Sequence, residues 1–317
     1  MPSESTNTKR RGPEATGGAG KEKRAGSWLL SFEGRMMLPA LAVLAAISIL
    51  PFLYIIWMSL NDVTLLGGSG ISSRWVGLGN WAGMFTDYNV GAGWVRMVLY
   101  FVATVGLQVI LGVAIALLVH EVAWGKNLAL SLILIPMFIA PVIVGLLGRF
   151  LINPTYGLYS WILEETGIYT GNILGEDVPA FVAVVLMDVW EWTPLITLIT
   201  LAGLVSVQQQ VLEAAKVDGA GYWRRLWHIV LPSISGIVLV ALLVRSMDAL
   251  RYFDIVWQVT GGGPANATKI IPMGLYEVAF RFLQLGYAAT IGLVMLAVSI
   301  LLANVFTTML KQRGLAG

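Results

Sequence analysis

The 317-residue chain contains no cysteine and only two histidines, His120 and His228. The first absence excludes a disulfide framework and any thiolate metal site, while leaving the compartment open. The second leaves too few imidazoles for a histidine-based metal cluster. Charge is scarce as well. Asp, Glu, Lys and Arg make up 12% of the residues against 57% hydrophobic, and mean hydropathy is +0.78. A soluble domain carries roughly a quarter charged residues. No Walker motif occurs, and the run Gly261-Gly262-Gly263 lacks the Gly-Lys-Ser/Thr ending of a phosphate loop. The sequence also has no HExxH, no GxSxG and no paired transmembrane aspartate motif, which argues against an intramembrane enzyme.

What is present is apolar sequence in runs of spanning length. Six stand out: Met36–Leu60, Val95–Val119, Leu128–Leu151, Val178–Val205, Ile234–Val256 and Tyr287–Leu310. Each supplies the roughly 20 residues that cross a hydrocarbon core. In lipid the backbone must satisfy its own hydrogen bonds, so each run is expected to be helical. The runs are continuous rather than alternating, which disfavours a barrel. The fold class expected is therefore all-α, a polytopic bundle of about six membrane-spanning helices. Pro136 and Pro141 predict a bend in the third. Residues 1–35, rich in Ser, Gly, Lys and Arg, read as a disordered basic tail that cannot bury a core. Residues 36–313 read as the membrane domain.

Thirteen of the 20 Lys and Arg residues fall in segments 1–35, 120–127, 206–233 and 311–317. The positive-inside rule then puts both termini in the cytoplasm. Segment 206–233 lies on the same side. The longer loops 61–94, 152–177 and 257–286 face outward.

Segment 206–233 contains a polar elbow, EAAKVDGAGYWRRLWHIVLP, at 213–232. Glu213 to Lys216 are good helix formers, and Ala214 and Ala215 are small enough for close approach to another surface. Gly219 can take a positive φ and end that helix. A second helix is expected from Gly221 to Val230, with Pro232 in the first turn of helix five, where its missing N–H costs nothing. Arg224 and Arg225 suit an anionic lipid surface as well as a protein partner.

The elbow's spacing is Glu213-Ala214-Ala215, three residues, Gly219, nine residues, Ile229, one residue, Leu231-Pro232. It resembles the EAA loop of type I ABC importer permeases. Trp75-Val76-Gly77-Leu78-Gly79-Asn80-Trp81, the stretch Val259 to Thr268, and Val217-Asp218-Gly219-Ala220 resemble the carbohydrate-uptake group (MalF/UgpA/SugA-like). The resemblance spans about residues 36–313. It implies a permease subunit that imports a sugar or related polyol by alternating access and performs no bond chemistry. It implies that Glu213, Ala214, Ala215, Asp218 and Gly219 meet a separate ATPase, with Glu213 facing a basic residue there. ATP and Mg would be bound by that ATPase dimer, and no cofactor by this chain. The other implied partners are a second homologous permease, an extracytoplasmic solute-binding protein and membrane lipid, with no nucleic acid. The location implied is the inner membrane of a prokaryote.

Two intramembrane stretches carry candidate pathway residues. Helix four contains Asp188-Val189-Trp190-Glu191-Trp192-Thr193-Pro194. Acids beside aromatic rings suit a neutral polyol, whose hydroxyls and apolar C–H faces must both be matched. Helix five carries Arg245, Asp248, Arg251 and Asp254, three apart, a spacing that lets neighbours pair. Charges in a membrane are costly and point to function or to one another. Asp188, Trp190, Glu191, Arg245 and Asp248 are the pathway candidates. The alternative is a structural ion-pair network with aromatic packing around a kink at Pro194. A permease for glycerol phosphate or another small solute is a second reading. A six-helix secondary transporter is a third, and it accounts for the buried charges but not for the elbow.

Overall fold

The computed structural model describes residues 32–66, 70–122 and 124–312. Residues 1–31, where the tail is expected, lie outside the described part. The chain divides into two units, Met1–Leu53 and Tyr54–Gly317. The described part of the first unit is the start of helix α1 (Phe32–Ser59), so Phe32 to Arg35 belong to a helix rather than to the tail.

In the second unit a hairpin follows α1. Strands β1 (Asn61–Leu66) and β2 (Gly70–Trp75) pair antiparallel from Asn61↔Trp75 to Leu66↔Gly70. This small sheet is the departure from an all-helical chain. It explains the Trp75–Trp81 motif. Asn80, in helix α2 (Gly79–Thr86), donates from one amide nitrogen to Ser59 O at 3.0 Å and to Asn61 O at 2.9 Å. The side chain thus closes carbonyls freed where the helix gives way to the hairpin.

Helices α3 (Tyr88–Glu121), α7 (Asp177–Val205), α9 (Tyr222–Ala249) and α12 (Leu285–Gln312) are long and apolar enough to cross a membrane, as is α1. The third apolar run is instead two helices, α4 (Lys126–Leu134) and α5 (Pro141–Leu151), bent by 92°. A tight turn over Ile135–Phe138 leads into Ile139 and Ala140, both extended, with ψ at 135°. The residue before a proline is driven out of the helical region, so Pro141 fixes the break. The bend expected at Pro136 and Pro141 is thus a break of 92° between two helices.

The fifth run is corrected at both ends. It begins at Tyr222 rather than Ile234 and passes through one wide turn at Leu226–Val230 without stopping. Pro232 therefore sits inside a continuous helix rather than at a free start. The run ends at Ala249, and helix α10 (Asp254–Val259) resumes after a break. The remaining elements are α6 (Leu158–Glu165), α8 (Gln209–Val217) and α11 (Ile271–Tyr276), the last continued by a wide turn over Glu277–Arg281.

α7 is the centre of the packing, with α3 and α9 laid against it and α10 against α5. Glycine makes the α3–α7 approach possible. A Cβ on Gly112 would meet Ile196 Cβ and Cγ2 at 2.7 Å. Small residues at helix crossings are the usual solution where lipid supplies no hydrophobic drive. Gly112→Ala should destabilise the permease by about 1–3 kcal/mol, the usual cost of overpacking. Gly106, with no neighbour within 4 Å, is the control on the same helix. A thermal unfolding scan in detergent should show a lower midpoint for Gly112→Ala and none of that loss for Gly106→Ala.

Candidate functional site

Two places in the second unit hold polar groups that a membrane protein does not carry idly. The first lies between α3, α7 and α9. Arg245 of α9 is fully buried. Its Nη2 donates to both carboxylate oxygens of Asp188 on α7 at 2.6 Å, its Nη1 to Asp248 Oδ2 at 3.0 Å, and its Nε to Gln108 Oε1 of α3 at 2.8 Å. Gln108 in turn donates from Nε2 to Asp188 O at 3.0 Å and to Asp188 Oδ2 at 3.2 Å. The guanidinium also lies 5.4 Å from the ring centroids of Trp192 and Tyr252. Every polar edge of the cation therefore meets an acceptor, and two rings flank it.

A second tier adjoins the first. The Tyr252 hydroxyl donates to Glu191 Oε2 at 2.6 Å and accepts from Trp192 Nε1 at 3.3 Å. Tyr252 also stacks on Tyr100 of α3. The break after Ala249 is what brings Tyr252 here. Backbone bonds Leu250 N to Ser246 O, Arg251 N to Asp248 O and Tyr252 N to Ala249 O tighten the helix end and turn the chain inward. Glu191 is fully buried, and its Oε1 has no partner among the described residues.

Of the five pathway candidates, Asp188, Glu191, Arg245 and Asp248 come together here. Trp190 does not: it is 52% exposed, on another face of α7, and Trp192 takes its place beside the charges. The helix-five ladder is only partly realised. Asp248 bridges Arg245 and, at 3.9 Å, Arg251, but Asp254 opens α10 beyond the break. Of the four candidates gathered here Asp248 is the partly exposed one, with its side chain 37% exposed against none for Arg245 and Asp188. Gln108, Tyr100 and Tyr252 were not among the candidates. Gln108 was findable, as a lone amide inside an otherwise apolar run.

The second place is the elbow. α8 ends in a left-handed Gly219 (φ +77°). Ala220 N donates to Ala215 O at 2.9 Å and Gly219 N to Lys216 O at 3.1 Å, the two bonds of a Schellman cap. Glu213, Ala214, Asp218 and Gly219 are exposed and Ala215 is half-buried. Val217, next to them, is 88% exposed. The elbow thus presents a short polar and apolar face, held in shape by its own backbone.

The buried pair can be tested as a pair. Asp188→Asn and Arg245→Met alone each leave a buried group uncompensated, which costs about 3–5 kcal/mol. The double variant Asp188→Leu/Arg245→Met should recover most of that loss in thermal unfolding. Failure of the double variant to recover would mean that the pair is not the stabilising unit.

Comparison with known proteins places this geometry. The model of the family "Binding-protein-dependent transport system inner membrane component" matches residues 108–314. The trehalose/maltose transport system permease protein MalF of Thermococcus litoralis is 36% identical over 252 residues, 79% of this chain and 83% of that protein. The trehalose transport system permease protein SugA of Mycobacterium tuberculosis is 30% identical, covering 86% of each. The sn-glycerol-3-phosphate transport system permease protein UgpA of Yersinia enterocolitica is 31% identical, covering 82% of this chain and 88% of that one. In fold, the chain matches one from the crystal structure of a bacterial alginate ABC transporter in complex with alginate pentasaccharide-bound periplasmic protein. The TM-score is 0.77, over 92% of this chain and 97% of that one, at 18% identity. The chain belongs to the family of inner membrane components of binding-protein-dependent transport systems.

Proposed function

We propose that this chain is a permease subunit of an ATP-driven importer for a neutral sugar or related polyol. It works with a second, homologous permease, an ATPase dimer that binds ATP and Mg, and an extracytoplasmic solute-binding protein. Both termini and the elbow face the cytoplasm. The observation that carries the reading is the capped elbow, which exposes Glu213, Ala214, Asp218 and Gly219 on a rigid turn. A rigid, exposed turn continuous with a spanning helix is the shape of a lever, and this chain has no nucleotide motif of its own to drive it. Docked on the ATPase, the elbow receives the closing motion of that dimer. α9 carries it to the buried cluster, and the pathway opens alternately to either side.

The sugar class is supported by the relatives named for trehalose and maltose. The local chemistry agrees. Three carboxyl groups, Asp188, Glu191 and Asp248, stand against two guanidinium groups, Arg245 and Arg251, so the cluster has no positive excess for an anionic solute. That favours a neutral polyol over glycerol phosphate. Asp248 and Trp192, the partly exposed members, offer a hydroxyl acceptor and a ring.

Gly219→Pro or Glu213→Lys should leave the protein in the membrane and the assembled transporter still hydrolysing ATP, with sugar uptake reduced at least about tenfold. That loss corresponds to about 1.4 kcal/mol of coupling. Side-by-side uptake and ATPase assays in proteoliposomes measure it, and unimpaired uptake in both variants would sink the coupling role. Asp248→Asn should raise KM for uptake without altering basal hydrolysis. A competition panel of disaccharides against a sugar phosphate then reads the substrate class.

A further inference from the structure

Beneath the elbow lies a cleft of about 360 Å³ that transport does not account for. It is walled by the end of α3 (Leu117, His120, Glu121), the end of α7, and both halves of the elbow. Lys216 comes from the first half and Arg225 from the second. Among the described residues neither cation is in an ion pair. His120 Nδ1 and Arg225 Nε are buried with no hydrogen-bond partner. Buried nitrogens are nearly always satisfied, and Arg225 Nε can only donate, so this wall is short of an acceptor. Glu121 is the one acid in it and forms no ion pair with either cation.

A second, apolar groove of about 220 Å³ lies along α3 and α9. It is lined by Val113, Leu231, Ile234, Val238, Leu239 and Leu242, together with Ser235. Val113 is one helical turn from Leu117 of the cleft, and Leu231 follows its Val230. From Leu231 to Leu242 the groove runs about 16 Å along the helix, close to one leaflet of a hydrocarbon core about 30 Å thick.

We propose that cleft and groove together are a binding site for one anionic phospholipid, its phosphate held between Lys216 and Arg225 and an acyl chain laid along α3 and α9. The charge of the cleft matches a phosphodiester, and the groove matches the chain joined to it. A free phosphate would answer the cations and leave the groove uncovered. Because Lys216 and Arg225 sit on opposite sides of the Gly219 turn, the bound headgroup ties the elbow's two halves together. The proposal rests on the importer reading only for the leaflet that the elbow faces.

The test uses the assembled transporter purified in mild detergent, with bound phosphatidylglycerol read by native mass spectrometry. Lys216→Gln/Arg225→Gln should retain it roughly 30-fold less well. At about 1.4 kcal/mol per decade, that is the loss of two basic contacts of about 1 kcal/mol each. Leu239→Trp, which fills the groove and leaves the charges, should also lose it. Arg224→Gln should keep it, since Arg224 is exposed and does not line the cleft. Co-purification of the ATPase with each variant certifies folding. In thermal unfolding, phosphatidylglycerol should protect the wild type and inorganic phosphate should not. Three results would overturn the proposal: retention by the double variant, equal loss in Arg224→Gln, or equal protection by inorganic phosphate, which would make this a free-anion site. Lipid retention is read without transport, so a failure of the importer reading would leave it unchanged.

Discussion

The interaction on which the second unit depends is the ion pair between Arg245 and Asp188. Both side chains are fully buried, and taking two such charges out of water costs several kcal/mol each. That cost is met only if the geometry is close and the remaining donors find acceptors. Gln108 and Asp248 supply them. The pair therefore obliges α3, α7 and α9 to stand in one register, because a shift of any of them leaves a charge unpaired in an apolar interior. Gly112 against Ile196 and the apolar contacts around Ala116, Leu201 and Ile234 follow from that register; they fill the space the charges define. Replacing the pair by apolar groups can match its energy, but not its intolerance of slippage.

The elbow is coupled to this pair by a single element. α9 runs unbroken from Tyr222 to Ala249, about 42 Å of helix at 1.5 Å per residue. Its wide turn at Leu226–Val230 absorbs Pro232 without ending the helix. Ser233 Oγ donates to Ile229 O at 2.6 Å, and Ser235 Oγ to Pro232 O at 2.7 Å, adding side-chain bonds to the helix on either side of the proline. Force at the Gly219 turn thus has a stiff route to Arg245. Beyond it the helix stops, and the chain turns to place Tyr252 on Glu191.

The sequence made some of this legible and hid the rest for definable reasons. Spanning length and apolar content alone located the long helices, because lipid permits little else. The turn of the elbow was readable, because a positive φ at Gly219 is a local steric matter, but the unbroken passage of its second half into α9 was not. The hairpin after α1 was not readable, because Asn61 to Trp75 lack a strong alternating pattern and its base is tied to Asn80, nearly twenty residues on from Asn61. The extent of the α4–α5 bend was underestimated because two prolines predict a kink but not that Ile139 and Ala140 both go extended. At the site, the charged residues announced themselves, while their partners did not. Spacing along α9 suggested a ladder within one helix, yet Arg245 finds its strongest partner on α7. Trp192 was findable, since at i+4 from Asp188 it shares a face of α7 with Asp188 and Glu191, whereas Trp190 at i+2 points away.

That lock also limits how the molecule can move. A pathway that opens to alternate sides needs large displacements, but the three helices joined at Arg245 cannot slide past one another without exposing a charge to an apolar wall. They must travel as one body. The freedom then falls to the places where backbone bonding is already interrupted: the break at residues 250–253 and the extended pair Ile139–Ala140. These two interruptions immediately precede α10 and α5, which pack together with Gly145 against Gln258 and Ile255. A contact made by a glycine on one side slides at little steric cost, whereas the charged contact at Arg245 does not. The rigid part of the permease is therefore its polar centre, and the compliant part is the apolar seam beside it.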